Sequence, residues 1–217
     1  MPLALDRVSF AYPDGPAILK DADLVLETGG YHLLRGPSGA GKSTVLRLLC
    51  RLEEAQDGTI SFKGASIRDI PPAELRRSVA YVQQLPTLLP GTVRENLLMP
   101  FGFKANAPLT PPSDEDMAGR LSDFLLSGVT LDSRADKLSV GQAQRVCLIR
   151  SLLLSPEVVL LDEPTASLDA HSAGVVLDRA RELCESGVTV VMISHSETVP
   201  EGVTRFIYIE KQGLVMA

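Results

Sequence analysis

A chain of 217 residues with a formal net charge of -6 is long enough for one α/β domain with a sizeable core and an inserted subdomain. The acidic balance excludes a general nucleic-acid surface, which needs an excess of Lys and Arg. Three scattered cysteines, Cys50, Cys147 and Cys184, lie in apolar helical stretches without metal-ligand spacing and read as buried, reduced thiols.

Residues 1–7 carry charge too early for a signal peptide. No apolar run approaches the roughly 20 residues a membrane-spanning helix needs. If the chain works at a membrane, another chain is expected to supply the span.

In chain order, residues 3–10 alternate between apolar and polar, a strand pattern. Tyr12-Pro13-Asp14-Gly15-Pro16 is a turn, and residues 22–27 form a second strand that ends at Thr28-Gly29-Gly30. Tyr31-His32-Leu33-Leu34 reads as a buried strand. It feeds Gly36-Pro37-Ser38-Gly39-Ala40-Gly41-Lys42-Ser43-Thr44, which fits the phosphate-loop pattern G-x-x-x-x-G-K-[ST] at every fixed position. Glycines there let backbone N–H groups approach a polyphosphate with no Cβ in the way. Lys42 reaches the β- and γ-phosphates, the Ser43 hydroxyl ligates Mg²⁺, and a helix over 44–49 presents its positive end to the anion.

Asp57-Gly58 precedes a short antiparallel strand over 59–64, Pro71-Pro72 opens a brief helix through Arg77, and 78–82 is another strand. From about Gln83 to Leu154 the pattern is helical. Residues 92–99 have helical spacing and stop at Pro100, and a loop with Pro108, Pro111 and Pro112 follows. Ser113 is an N-cap with Asp114, Glu115 and Asp116 in the first turn, opening a helix to about Ser127. Ser139 and Gln142 satisfy the capping-box spacing at the start of the next helix, and a capped start bearing a glycine also offers N–H groups to a phosphate. Beyond Pro156 come a buried strand over 158–161, a helix over 172–184, a buried strand over 188–193 and a strand over 203–210 near the sheet edge. The whole of 1–217 reads as one α/β domain, with 1–84 and 156–217 as the core and 85–155 as a helical insertion. Asp162 and Glu163 end the strand over 158–161. The first is placed to hold the Mg²⁺ that Ser43 also ligates, and the second to orient and polarise a water.

Here the chain resembles the ATP-binding cassette family, whose signature is usually written LSGGQ; this chain has Leu138-Ser139-Val140-Gly141-Gln142. Further motifs follow in the family's order along almost the whole chain. Gln84 resembles the glutamine of the Q-loop. Adjacent Gln83 competes, and counting back from Pro90-Gly91-Thr92 favours Gln84. Ser167-Leu168-Asp169 resembles the D-loop, His195 the switch histidine, and Tyr12 the aromatic residue that stacks on adenine. His32 and His171 match nothing and are left structural.

The resemblance implies a phosphate-loop NTPase with a mixed sheet, a small antiparallel β subdomain and an inserted α-helical signature subdomain. It implies ATP and Mg²⁺ as ligands, with Gly36 to Thr44 and Tyr12 on the nucleotide and Ser43, Asp162 and Gln84 on the metal. Glu163 is then the general base, His195 senses the γ-phosphate, and Gln84 couples the site to the insertion. A second copy, packed head to tail, is expected to bring Ser139, Gly141 and Gln142 to the nucleotide, with Asp169 supporting the seam. Val140 departs from the family pattern; if its φ is helical it keeps its N–H donor at a small propensity cost.

The family also implies a peripheral subunit at the cytoplasmic face of the membrane, soluble when isolated, that energises a separate integral-membrane permease. A soluble cassette ATPase serving a cytosolic assembly, as in iron–sulfur cluster biogenesis, is the alternative. Residues 87–89, 96–101 and 148–152 resemble the small metal (iron) export cassette subunits. Leu88, Leu89, Val93, Leu97, Leu98, Met99, Phe101 and Phe103 form either a docking groove or the insertion's own small core. No nucleic-acid partner is expected.

Overall fold

The computed structural model describes residues 2–196 and 198–217. Two sheets carry the fold. The first is antiparallel, in the order β2 (Ala17–Leu26), β1 (Leu3–Ala11), β4 (Asp57–Phe62) and β5 (Ala65–Ser66). The second has six strands: β10 (Gly213–Met216), β9 (Arg205–Glu210), β3 (Tyr31–Arg35), β8 (Thr189–Ile193), β7 (Val158–Asp162) and β6 (Val79–Val82). All its pairings are parallel except that of β10 with β9.

The period of two in the strands sorts their side chains between two cores. Val158 and Leu160 face α1 (Lys42–Leu49) and the antiparallel sheet, packing with Leu46, Leu49, Leu24 and Ile60. Val159 and Leu161 face the helical side. There they meet residues of α3 (Val93–Leu98), α4 (Asp114–Asp123), α5 (Val140–Leu152) and α6 (Ala170–Glu185), including Leu97, Met117, Ile149 and Val176. Each such side chain, fully buried, contributes about 1.5–3 kcal/mol relative to exposure. The helix α1 is thus held between two sheets. A short α2 (Pro72–Ser78) leads into β6.

This topology decides where the site lies. The strands β3, β8 and β7 are adjacent, and Leu34, Ile193 and Asp162 stand level at their C-terminal ends. The phosphate loop, His195 and the pair Asp162–Glu163 therefore leave the sheet at one edge, side by side, where open α/β sheets place their ligands. Next to β7, β6 ends at Val82 opposite Leu161, which brings Gln84 to the same edge.

The sheet architecture and the helical insertion agree with expectation; several bounds do not. The strand β2 begins at Ala17, five residues before the expected start. Register shifts at Leu5/Val8 and Val8/Phe10, with left-handed Arg7 and Asp21, break the alternation that would have revealed it. The expected helix to Ser127 ends at Asp123, because Leu125 takes a φ of 51° while Phe124 and Leu126 turn into the core. The edge strand is β10, which sequence patterning missed. Its two-residue turn, Lys211-Gln212, is left-handed at both positions without the usual Asn or Gly. Cys50 and Cys147 are buried free thiols and Cys184 is half-buried; burial pushes the Cys50 thiol up to about 11. His32 is fully buried in β3 with Nε2 3.4 Å from the Glu27 carbonyl, and burial lowers its pKa.

Candidate active site

The phosphate loop joins β3 to α1 through Gly41, which caps the helix in the left-handed region at φ 94° with no side chain on the first N–H groups. A Cβ at Gly41 would run into the Cγ2 methyl of Ile18, so only glycine fits. Lys42 is nearly buried, and its ammonium donates to the Gly36 and Pro37 carbonyls at 3.0 and 2.9 Å. The loop and the β1–β2 turn enclose a cavity of about 410 Å³. It is lined by Tyr12, Pro16 and Ile18, by Ser38, Lys42, Ser43 and Thr44 of the phosphate loop, and by Glu163 and His195. An apolar wall facing a ring of N–H, ammonium and hydroxyl donors matches a nucleoside polyphosphate in both size and chemistry. Tyr12 is fixed in place. Its hydroxyl donates to Glu53 at 3.1 Å and lies 3.4 Å from the Thr44 hydroxyl, and its ring stands edge-on to Phe10.

Ser43 donates to Asp162 Oδ1 at 3.1 Å. Asp162 is buried, and among the described residues no cation pairs with it. Two hard oxygens at that spacing beside the phosphate cradle suit Mg²⁺, which takes one or two carboxylates and completes its shell with phosphate oxygens and water. No group of three or more His, Cys, Asp or Glu forms a closed metal cage among the described residues.

Glu163 follows immediately, with a φ of 48°. A non-glycine residue held in that region carries strain of order 1–3 kcal/mol. The surroundings fix it: its N–H donates to the Ile193 carbonyl at 3.2 Å, Gln84 Nε2 donates to Oε2 at 2.9 Å, and His195 Nε2 lies 2.9 Å from Oε1. Gln84, not Gln83, reaches the carboxylate; the Gln83 side chain turns to Thr87. Thus Gln84 joins Glu163 and His195 in this conformation, while Ser43 and Asp162 form a separate pair beside them.

The signature residues lie elsewhere. Ser139 caps α5 in a capping box with Gln142, and none of Ser139, Gly141 or Gln142 lines the cavity of its own chain. Val140 is the first helical residue, with a helical φ and 54% exposure, so it retains its N–H. Gly141 packs under the D-loop, where a Cβ would come within 2.9 Å of Leu168. Asp169 caps α6, and the Ser172 N–H and hydroxyl lower its pKa.

A family model described as ABC transporter matches residues 19–166. The chain belongs to that family. An Arabidopsis thaliana relative, ABC transporter I family member 17, is 40% identical over 84% of this chain and 68% of its own length. The mitochondrial ATP-dependent permease MDL1 of Saccharomyces cerevisiae is 33% identical over 99% of this chain, which spans only 32% of that relative. A solved ATP-binding cassette, in a dimeric post-hydrolysis state bound to ADP and Pi, superposes with a TM-score of 0.85 at 27% identity, over 99% of this chain and 97% of that one. This chain is therefore an ABC-type ATPase domain with the family's phosphate-loop fold, and among its described residues no helix is long and apolar enough to cross a membrane.

Sequence reasoning missed two parts of the site in this ABC domain. Ile18, under Gly41, lies in a strand segment hidden by the hairpin's irregular register. Tyr81 donates to Asp162 Oδ2 at 2.8 Å. Its only signal was a polar aromatic on a strand three residues before Gln84.

Proposed function

We propose that this chain is the ATP-binding and ATP-hydrolysing subunit of a membrane transporter, working as two copies packed head to tail around ATP. The observation that carries the reading is Glu163, strained and held by Gln84 and His195, in the lining of the phosphate-loop cavity.

In this reading Tyr12 stacks on the base, the N–H groups of 36–44 and the Lys42 ammonium hold the phosphates, and Ser43 and Asp162 would hold Mg²⁺, joined by Gln84 once it turns from Glu163. Bound there, Mg²⁺ supplies positive charge that neutralises the polyphosphate and favours displacement at its terminal phosphorus. Glu163 orients the attacking water and takes its proton, and His195 keeps Glu163 in place and reads the γ-phosphate. Because Ser139, Gly141 and Gln142 do not face their own cavity, they complete the site of the other copy, with Asp169 at the seam. ATP then bridges the two copies, and hydrolysis removes the bridge.

The partner is proposed to be a separate permease, with this subunit peripheral at the cytoplasmic face. Of the apolar residues in the insertion, Val93 and Leu97 are fully buried and belong to its core, while Leu89 and Phe103 are exposed. Phe103 opens onto a groove of about 350 Å³ between core and insertion, with Leu52, Pro100, Arg76 and Arg150 around it. That groove would receive a helix of the permease.

The test is phosphate release from ATP by Glu163→Gln. ATP binding should be retained and turnover should fall about 10²–10⁴-fold, the range for removing a general base; near-normal hydrolysis would overturn the assignment. Co-purification of a multi-span membrane protein would support the transporter reading, and purely soluble partners would replace it with the cytosolic-assembly reading.

A further inference from the structure

We infer that Tyr81 is a positioning residue of the metal site: its hydroxyl fixes the rotation of the Asp162 carboxylate so that one oxygen stays directed at Ser43. The inference rests on the proposed role of Asp162 as a metal ligand.

The two oxygens of Asp162 have different partners. Oδ1 accepts from Ser43, itself a proposed ligand, at 3.1 Å, and Oδ2 accepts from Tyr81 at 2.8 Å. A cation held by Ser43 and Asp162 would take the place of the first bond and leave the second. From then on Tyr81 is what holds the carboxylate plane. A buried carboxylate on a strand end can otherwise turn about its terminal torsion, which is broad and roughly two-fold.

The direction of the Tyr81 bond is fixed by its partner, because an ionised carboxylate only accepts. The phenol carries a single proton, and it points at Asp162 Oδ2. Both ends of this bond sit on paired strands: Tyr81 on β6, in register with Leu160 of β7, and Asp162 at the end of β7. The Tyr81 ring also lines the groove between core and insertion. A partner seated in that groove would meet the residue that aims Asp162.

The test uses the whole chain loaded with a non-hydrolysable ATP analogue and titrated with Mn²⁺, followed by electron paramagnetic resonance. Tyr81→Phe keeps the ring and its packing and removes only the hydroxyl. Mn²⁺ affinity is expected to fall about tenfold, the low end for losing a partner of a ligand, while analogue binding without metal stays within about twofold of wild type. Asp162→Asn, measured alongside, is expected to lose more. Wild-type Mn²⁺ affinity in Tyr81→Phe, with affinity lost in Asp162→Asn, overturns the inference alone. Wild-type affinity in both overturns the metal-site reading and the inference with it. An equal loss of metal-free analogue binding in Tyr81→Phe shows a general disturbance and also overturns the inference.

Discussion

The N-termini of α1 and α5 are both Gly-bearing starts of partly apolar helices, and they differ in what their N–H groups meet. At α1 the capping residue is Gly41, and no side chain takes the first donors. At α5, Ser139 accepts from the Gln142 N–H at 3.3 Å, and Gln142 accepts from the Ser139 N–H at 2.9 Å. The first helix start is open to an anion by construction. The second spends its Ser139 and Gln142 N–H groups in the capping box and leaves, among the described residues, only those of Val140 and Gly141 open to an anion. In the proposed assembly α1 would hold nucleotide with all of its first donors, and α5 would lend a second copy only those two. That asymmetry suits an assembly that closes and reopens in each cycle.

Perturbing the two ends should separate them. The larger effect is expected at α1. Gly41→Ala forces a Cβ against Ile18 in a left-handed conformation. Strain of order 1–3 kcal/mol should weaken ATP binding by about tenfold to a hundredfold, measured by equilibrium dialysis on the isolated chain. Ser139→Ala should leave that binding unchanged. It should cost about 1 kcal/mol of stability through the lost cap, read by urea unfolding, and lower phosphate release at high protein concentration. Equal loss of ATP binding in the two variants would break the comparison.

A smaller effect, independent of both ends, is expected from His32. Its pKa is lowered by burial in the folded chain, so the folded state disfavours the proton that the unfolded chain accepts near pH 6.5. The neutral ring's contribution is complete above that pH and is lost as pH falls through the window below it toward the folded value. The Tm should fall between pH 7 and pH 5 more steeply in wild type than in His32→Phe; parallel profiles would contradict the assignment.

Legibility followed the same division. The phosphate loop, the strand ending in Asp162 and Glu163, and the capped start at Ser139 were readable because backbone physics demands particular residue types at fixed spacing there. Gln84 and His195 acquired their positions only through the family's motif order; that both converge on Glu163 follows from the adjacency of β3, β8, β7 and β6 in the sheet, which no local pattern encodes. Tyr81 was invisible for the same reason, since a Tyr on a strand points equally well to core packing. The strand β10 was hidden by a turn of Lys211 and Gln212, residues that carry no turn signal.

ATP is proposed to join two copies of this chain. The mass of Glu163→Gln by light scattering, with and without MgATP, tests it most directly. A species of the single-chain mass, 23.3 kDa, should shift to about twice that value with ATP bound and uncleaved, and the shift should disappear in Gly41→Ala. A mass that stays at one chain in saturating ATP, with hydrolysis by the wild type strictly proportional to protein concentration, would contradict it.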